Sequence, residues 1–193
     1  DDTEAKYVSR GGLKLEGALK VTGIDVRGQT CLDVGQSTGG FTDCLLQAGA
    51  AHVVGVDVGQ GQLHPRLRAD SRVTCIEKVN ARSMDAMQLI ASKIHSTGTT
   101  ASIDMKFPLI TGDLSFISLT LVLPAISTLL ASQGNLLMLV KPQFELQPGQ
   151  VGKGGIVRDP ALYADVEQRI RDCCAALKLK VLRWFESPIQ GGD

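Results

Sequence analysis

The chain has 193 residues, 44% of them apolar, and its 20 basic and 20 acidic side chains leave a formal charge of zero. That length suits one α/β domain with a real core. No apolar run reaches the roughly 18 residues of a spanning helix, and neutrality argues against binding nucleic acid by charge alone. Five cysteines (31, 44, 75, 173 and 174) form no C-x-x-C pair and read as buried small hydrophobes in a reducing compartment. His52, His64 and His95 are isolated, so no metal site is expected.

The polar start, DDTEAKYVSR, is not a signal peptide, which points to the cytoplasm. Tyr7 to Thr22 opens with a basic, glycine-containing turn and becomes helical, with Leu15 and Leu19 on one face. Lys14 follows Gly11-Gly12 near the helix start; a solvated position is the default for such a lysine. Thr30 to Gly49, TCLDVGQSTGGFTDCLLQAG, then reads as a strand through Val34, a loop from Gly35 to Gly40 and a helix from Phe41 to Ala48. A glycine-rich turn between strand and helix lets a ligand lie against bare backbone. NAD and S-adenosylmethionine (SAM) sites share this layout. A dinucleotide fingerprint wants glycine where Ser37 stands, whereas an aspartate two residues before the first glycine, Asp33, is the SAM form of the turn. We read a SAM pocket over a dinucleotide one, with Asp33 placed to pair with a cationic group.

His52 to Val58 is a second strand ending in Asp57, and Asp57 lies 22 residues past Gly35. A carboxylate at that spacing meets a ribose diol in Rossmann-like sites. Gln60 to Arg72 reads as loop with a short helix, its arginines (66, 68 and 72) solvated. Val73 to Val79 is a third strand, after which Asn80 is an adenine contact by position. Met84, Met87, Ile90, Ala91 and Ile94 repeat at helical spacing and read as core, followed by a loop from Gly98 to Ala101. Phe107 to Gly112 is the fourth strand, with Asp113 at its carboxyl end. Ser118 is placed to cap a helix to Ala131 that Pro124 kinks. Gly134 to Val140 is the fifth strand and ends in Lys141. Pro142 to Val157 is a long loop in which Glu145 reads as a loop charge, and Lys153 and Arg158 as solvated residues or phosphate contacts. Asp159-Pro160 starts a helix to about Leu177, and Val181 to Ser187 reads as a sixth strand. The seventh, antiparallel strand of Rossmann-like methyltransferases has no candidate in the sequence. Phe116 reads as a packing residue, since aromatics are scarce and not interleaved with basic residues.

Lys14, Asp113 and Lys141 can be read together. A ribose 2′-hydroxyl must lose its proton as it attacks, and a lysine beside a second cation can take it. An aspartate between two lysines holds both in place.

Four separate stretches then carry a resemblance: YVSRGGLKL, LDVGQSTGGFTD, DLSFISL, and VKPQFE followed by GKGGIVRD. Together they resemble the TlyA (hemolysin A) family of ribosomal RNA ribose 2′-O-methyltransferases over nearly the whole chain. The resemblance implies an FtsJ-like, Rossmann-like α/β sandwich: a mostly parallel sheet with helices on both faces, the last strand missing. It implies a K-D-K-E catalytic set, in which Lys14, Asp113 and Lys141 match the first three members. The fourth, a Glu in a G-N-x-E-F segment after S-P-I, has no counterpart; Glu186 precedes S-P-I and does not match. The expected SAM site comprises Asp33, Gly35, Ser37, Thr38, Gly39, Gly40, Phe41, Asp57, Val58 and Asn80. The implied partner is ribosomal RNA or a ribosomal subunit, with cytidine as target and no metal or membrane. Residues 1–193 are expected to be one methyltransferase domain without the family's N-terminal S4 RNA-binding domain. Three other readings remain: a non-catalytic RNA-binding or assembly protein, which the intact catalytic positions count against but the absent Glu keeps open; a membrane-active hemolysin, for which no basic amphipathic helix is visible; and an NAD-dependent oxidoreductase, which Asp33 and Ser37 disfavour.

Overall fold

Period-two burial decides how the layers form. In β1 (Thr30–Val34) Leu32 and Val34 face one side, Cys31 and Asp33 the other, and all four are buried. In β2 (His52–Val56) Val54 and Val56 follow the first side, and Val53 and Gly55 the second. The computed structural model describes residues 5–80 and 106–187. Its sheet is completed by β3 (Val73–Ile76), β4 (Phe107–Gly112) and β5 (Leu130–Met138), all parallel, in the order β3-β2-β1-β4-β5.

Helices cover both faces. On one lie α1 (Gly11–Thr22), α2 (Gly40–Gln47) and the short α3 (Pro65–Arg68), packed through Leu15, Leu45, Leu63 and Leu67 against Cys31, Val53 and Leu109. On the other lie α4 (Leu119–Ile126) and α5 (Pro160–Ala176), packed through Val122, Ile126, Val166 and Ile170 against Leu32, Val54 and Ile110. Burying a leucine such as Leu15 or Leu45 contributes roughly 1.5–3 kcal/mol. No helix among the described residues is long and apolar enough to cross a membrane.

Glycine sets the approach of α1 to α2. A Cβ on Gly40 would lie 2.1 Å from Ser9 Oγ and 2.9 Å from Gly12 N, and one on Gly12 would meet the Tyr7 ring at 2.4 Å. Tyr7 is buried and its hydroxyl donates to Glu16 Oε2 at 2.6 Å, which clamps the turn before α1 onto the helix. Lys6 first, then Tyr7, holds the Glu16 carboxyl down to about 2.

The expected strands and helices occur, with three differences. The helix expected to reach Ala131 stops at Ile126 and gives way to a 3-10 turn over Ser127–Leu129. Pro124 lacks the N–H that would bond to the carbonyl of Thr120, and the α-helix runs only two residues past it. Consequently β5 begins at Leu130 rather than Gly134, with an irregular register opposite Phe107 to Leu109. Val181 to Ser187 forms no strand: Trp184 packs against the α4–α5 core while Leu182 and Phe185 stay exposed, so one docked ring stands in for a ladder. The three arginines expected to be solvated are exposed, and each also pairs with a carboxylate: Arg66 with Asp43, Arg68 with Glu77 and Arg72 with Asp70. The methionine-bearing stripe and the loop from Gly98 to Ala101 lie outside the described residues.

Candidate active site

The sheet order reverses between β1 and β4: the chain leaves β1 for α2 on one face and β4 for α4 on the other. Open α/β sheets bind ligands in the crevice outside such a switch point. Here the crevice is lined by Ser9, Gly11, the run from Gly35 to Phe41, and Asp113. Gly35 has φ +80°, and a Cβ on it would sit 2.6 Å from the Asp113 carbonyl oxygen. Gly39 has φ +108°, and its Cβ would sit 2.4 Å from Leu67 Cδ1. Both positions therefore require glycine for conformation and for space. Ser37, between them, also takes a left-handed φ of +50°. The Gly35 and Gln36 amides both donate to Val56 O, at 2.8 and 3.1 Å, which stretches the loop across the end of β2.

Asp33 does not reach this crevice with a charge for a cationic group. It has no exposed surface, accepts from Thr42 Oγ1 at 2.8 Å and Thr111 Oγ1 at 3.4 Å, and so holds the turn from below. The register explains the row: Asp33 pairs with Thr111 on β4 and with Gly55 on β2. Gly55 leaves the room that the buried Gln36 amide fills, a Cβ there falling within 1.9 Å of it, and Gln36 Nε2 donates to Thr42 Oγ1 at 2.9 Å. Burial pushes the Asp33 carboxyl up to about 7, opposed by Thr42 and reinforced by Asp113.

Asp57 stands half-buried just past β2. Its Oδ2 accepts the Ser37 N–H at 2.7 Å, its Oδ1 the Gly59 N–H at 3.2 Å, and its carbonyl the Val79 N–H at 2.9 Å. Val58 and Asn80 are exposed on either side of this knot. Each carboxylate oxygen keeps a lone pair for a further donor.

At the end of β4, Asp113 Oδ1 lies 2.5 Å from Lys141 Nζ, which stands three residues past β5. Their angle falls outside hydrogen-bond geometry; the directed bond of Lys141 goes to Ser115 Oγ at 2.9 Å. Gly11, at the start of α1, lies against the other Asp113 oxygen, an ideal Cβ falling 3.4 Å from Oδ2. Lys14, one turn along α1, is half-buried and makes no ion pair among the described residues. The fold thus joins Asp113 to Lys141 directly and brings α1's first turn, though not the Lys14 ammonium, against them.

Two residues have a different place from the one read from the sequence, and a third, Ser9, joins the crevice without having been singled out. Glu145 is buried rather than a loop charge: Oε1 accepts the Leu119 N–H at 2.7 Å, and Oε2 accepts the Ser118 hydroxyl. Phe116 is 90% exposed, with φ +65°, and touches only the edge of packing through Phe144, ring centroids 5.1 Å apart. Ser9 enters the crevice because Gly40 and Gly12 allow α1 to close on α2. The two adjacent glycines of SRGG were the visible signal for that approach; Ser115 and Glu145 had none.

The residues present fit SAM. The cradle that side chains at positions 35 and 39 would fill leaves bare backbone for a ligand to lie against, and the Asp57 carboxylate suits a ribose diol. A parallel sheet of this order, a glycine cradle at its switch point and an acidic end to β2 define a Rossmann-like methyltransferase fold. Residues 7–193 match the model of the FtsJ-like methyltransferase family, and the chain belongs to that family. It is 48% identical over 163 residues to the 16S/23S rRNA (cytidine-2′-O)-methyltransferase TlyA of Mycobacterium tuberculosis, a match covering 84% of this chain and 56% of that protein. It is 45% identical to Hemolysin A of Brachyspira hyodysenteriae, covering 96% of this chain and 72% of that one. A solved structure from Streptococcus thermophilus that carries a hemolysin name superposes with a TM-score of 0.84 at 39% identity, over 100% of this chain and 65% of that one. The chain thus spans little more than half the length of its mycobacterial relative.

Proposed function

We propose that this chain is the methyltransferase domain of an enzyme that transfers a methyl group from SAM to a ribose 2′-hydroxyl of ribosomal RNA, in the cytoplasm, with cytidine as target. The observation that carries the reading is the Lys141–Asp113 pair at 2.5 Å on the rim of the glycine cradle. SAM supplies an electrophilic methyl on a sulfonium. The residues of the chain do the rest. Asp57 takes the cofactor's ribose hydroxyls, Val58 and Asn80 flank its adenine, and the loop from Gly35 to Gly40 with Phe41 excludes water around its methionine end. Ser37 and Thr38 shape that loop. Lys141, as the amine, accepts the 2′-hydroxyl proton at Nζ, and Asp113 and Ser115 orient it. Lys14, one turn along α1 from Gly11, is the second cation of the set. The target nucleoside comes from the naming of the mycobacterial relative, and the lysine roles from the resemblance described above.

Positioned general-base help is worth about 10²–10⁴-fold. Lys141→Ala should therefore cut methyl transfer from labelled SAM to unmethylated ribosomal subunits by about 10²-fold or more, with SAM affinity held within a few-fold. Loss of SAM binding in this variant would instead put Lys141 in the cofactor site and remove it from proton transfer.

A further inference from the structure

We propose that Glu145 is a positioning residue that holds Lys141 against Asp113; its catalytic consequence rests on the reading of Lys141 just given. Lys141 and Glu145 stand at the two ends of one tight turn, in which the Phe144 N–H donates to Lys141 O at 3.0 Å and the Glu145 N–H to Pro142 O at 2.9 Å. The turn faces the segment that follows β4, and three residues of the turn tie the two in sequence order. Lys141 meets Asp113 and Ser115, Phe144 meets Phe116, and Glu145 meets Ser118 and Leu119. Behind the turn, the Arg169 guanidinium of α5 donates to the Glu145 carbonyl. The turn is thereby clamped through both its side chain and its main chain.

The carboxylate is more than helix α4 requires. Ser118 already caps that helix, its hydroxyl oxygen accepting the Thr120 N–H at 3.1 Å. A second, charged cap that is only 3% exposed is costly to bury and is stable only because both oxygens are hydrogen-bonded. What it adds is register: it fixes the β5 exit, which carries Lys141, to the β4 exit, which carries Asp113, Ser115 and Phe116. An amine displaced by about 1 Å can lose up to about 10²-fold in rate, so the clamp sets how well Lys141 reaches the proton it accepts.

The test labels lysines on the folded protein with an acetylating reagent and reads each site by mass spectrometry. Lys20, exposed on the far part of α1, is the internal reference. Glu145→Ala should speed Lys141 acetylation several-fold while Lys20 is unchanged. Glu145→Gln should return Lys141 to near the native rate, because the amide oxygen still accepts from Leu119 N and its nitrogen donates to Ser118 Oγ. In methyl transfer to unmethylated ribosomal subunits, Glu145→Ala should lower kcat by about 10-fold or more with the KM for SAM within about two-fold. An unchanged Lys141 rate, an equal rise at Lys20, or failure of Glu145→Gln to restore the native rate would each overturn the proposal. Lys141→Ala in the same assay separates the two ideas: full activity there would sink the role of Lys141 and leave the labelling result to judge its placement.

Discussion

At residue scale the site depends on carboxylates given different surroundings. Asp57 keeps solvent access, whereas Asp33, one strand away, has none and is held by two threonine hydroxyls. Burial pushes Asp33 up to about 7, against about 3.9 in an unfolded chain. The folded state thus binds the proton more tightly, and this stabilisation is full below about pH 4 and is lost as pH rises through about 7. Between those values the wild type should lose up to about 1.4 kcal/mol of stability per pH unit from this group. Denaturant unfolding of wild type beside Asp33→Asn checks it: the difference in their pH slopes should vanish above about pH 8, and identical slopes throughout would contradict the assignment. The position of Asp57 just past β2 was legible because its distance from Gly35 is a property of chain length alone. The inward turn of Asp33 was not, because it depends on Thr111, a neighbour 78 residues away that only strand register supplies.

Among the elements, the contact of α1 with α2 rests on glycine surfaces. A Cβ on Gly40 would strike Ser9 Oγ and the Gly12 amide, and backbone cannot yield as a side-chain tip can. Gly40→Ala should cost about 1–3 kcal/mol and lower Tm by roughly 2–12 °C. SAM affinity should fall with it, since Ser9 and Gly11 line the crevice; calorimetric melting with and without SAM measures both, and an unchanged Tm would mean that the helices can separate freely. The strands of the inner sheet could be read from their apolar runs, and the α2 start from its glycines. The early end of α4 and the absent ladder over Val181–Ser187 could not. The first turns on how far the helix runs past Pro124, the second on Trp184 docking against the α4–α5 core rather than pairing in the sheet, and local pattern reveals neither. Glu145 illustrates the same limit, since the α4 terminus it caps lies 26 residues back along the chain.

For the whole molecule, one topological fact gathers the chemistry. Because β1 and β4 are neighbours whose helices leave to opposite faces, the glycine cradle after β1, Asp113 after β4 and Lys141 after β5 share one edge. Strand ends with Asp57, Asp113 and Lys141 were visible in order along the sequence; that Asp113 and Lys141 touch is a product of the sheet order and of the turn from Lys141 to Glu145. The measurement that tests the account most directly is calorimetric titration of SAM into the folded chain, beside Asp57→Ala. Removing a carboxylate that receives the ribose hydroxyls costs about 1.5–3 kcal/mol, or about 10- to 100-fold in affinity. Saturable binding of SAM, weakened to that extent in Asp57→Ala, is the predicted result. Binding of NADH in its place, or SAM affinity indifferent to Asp57, would contradict it.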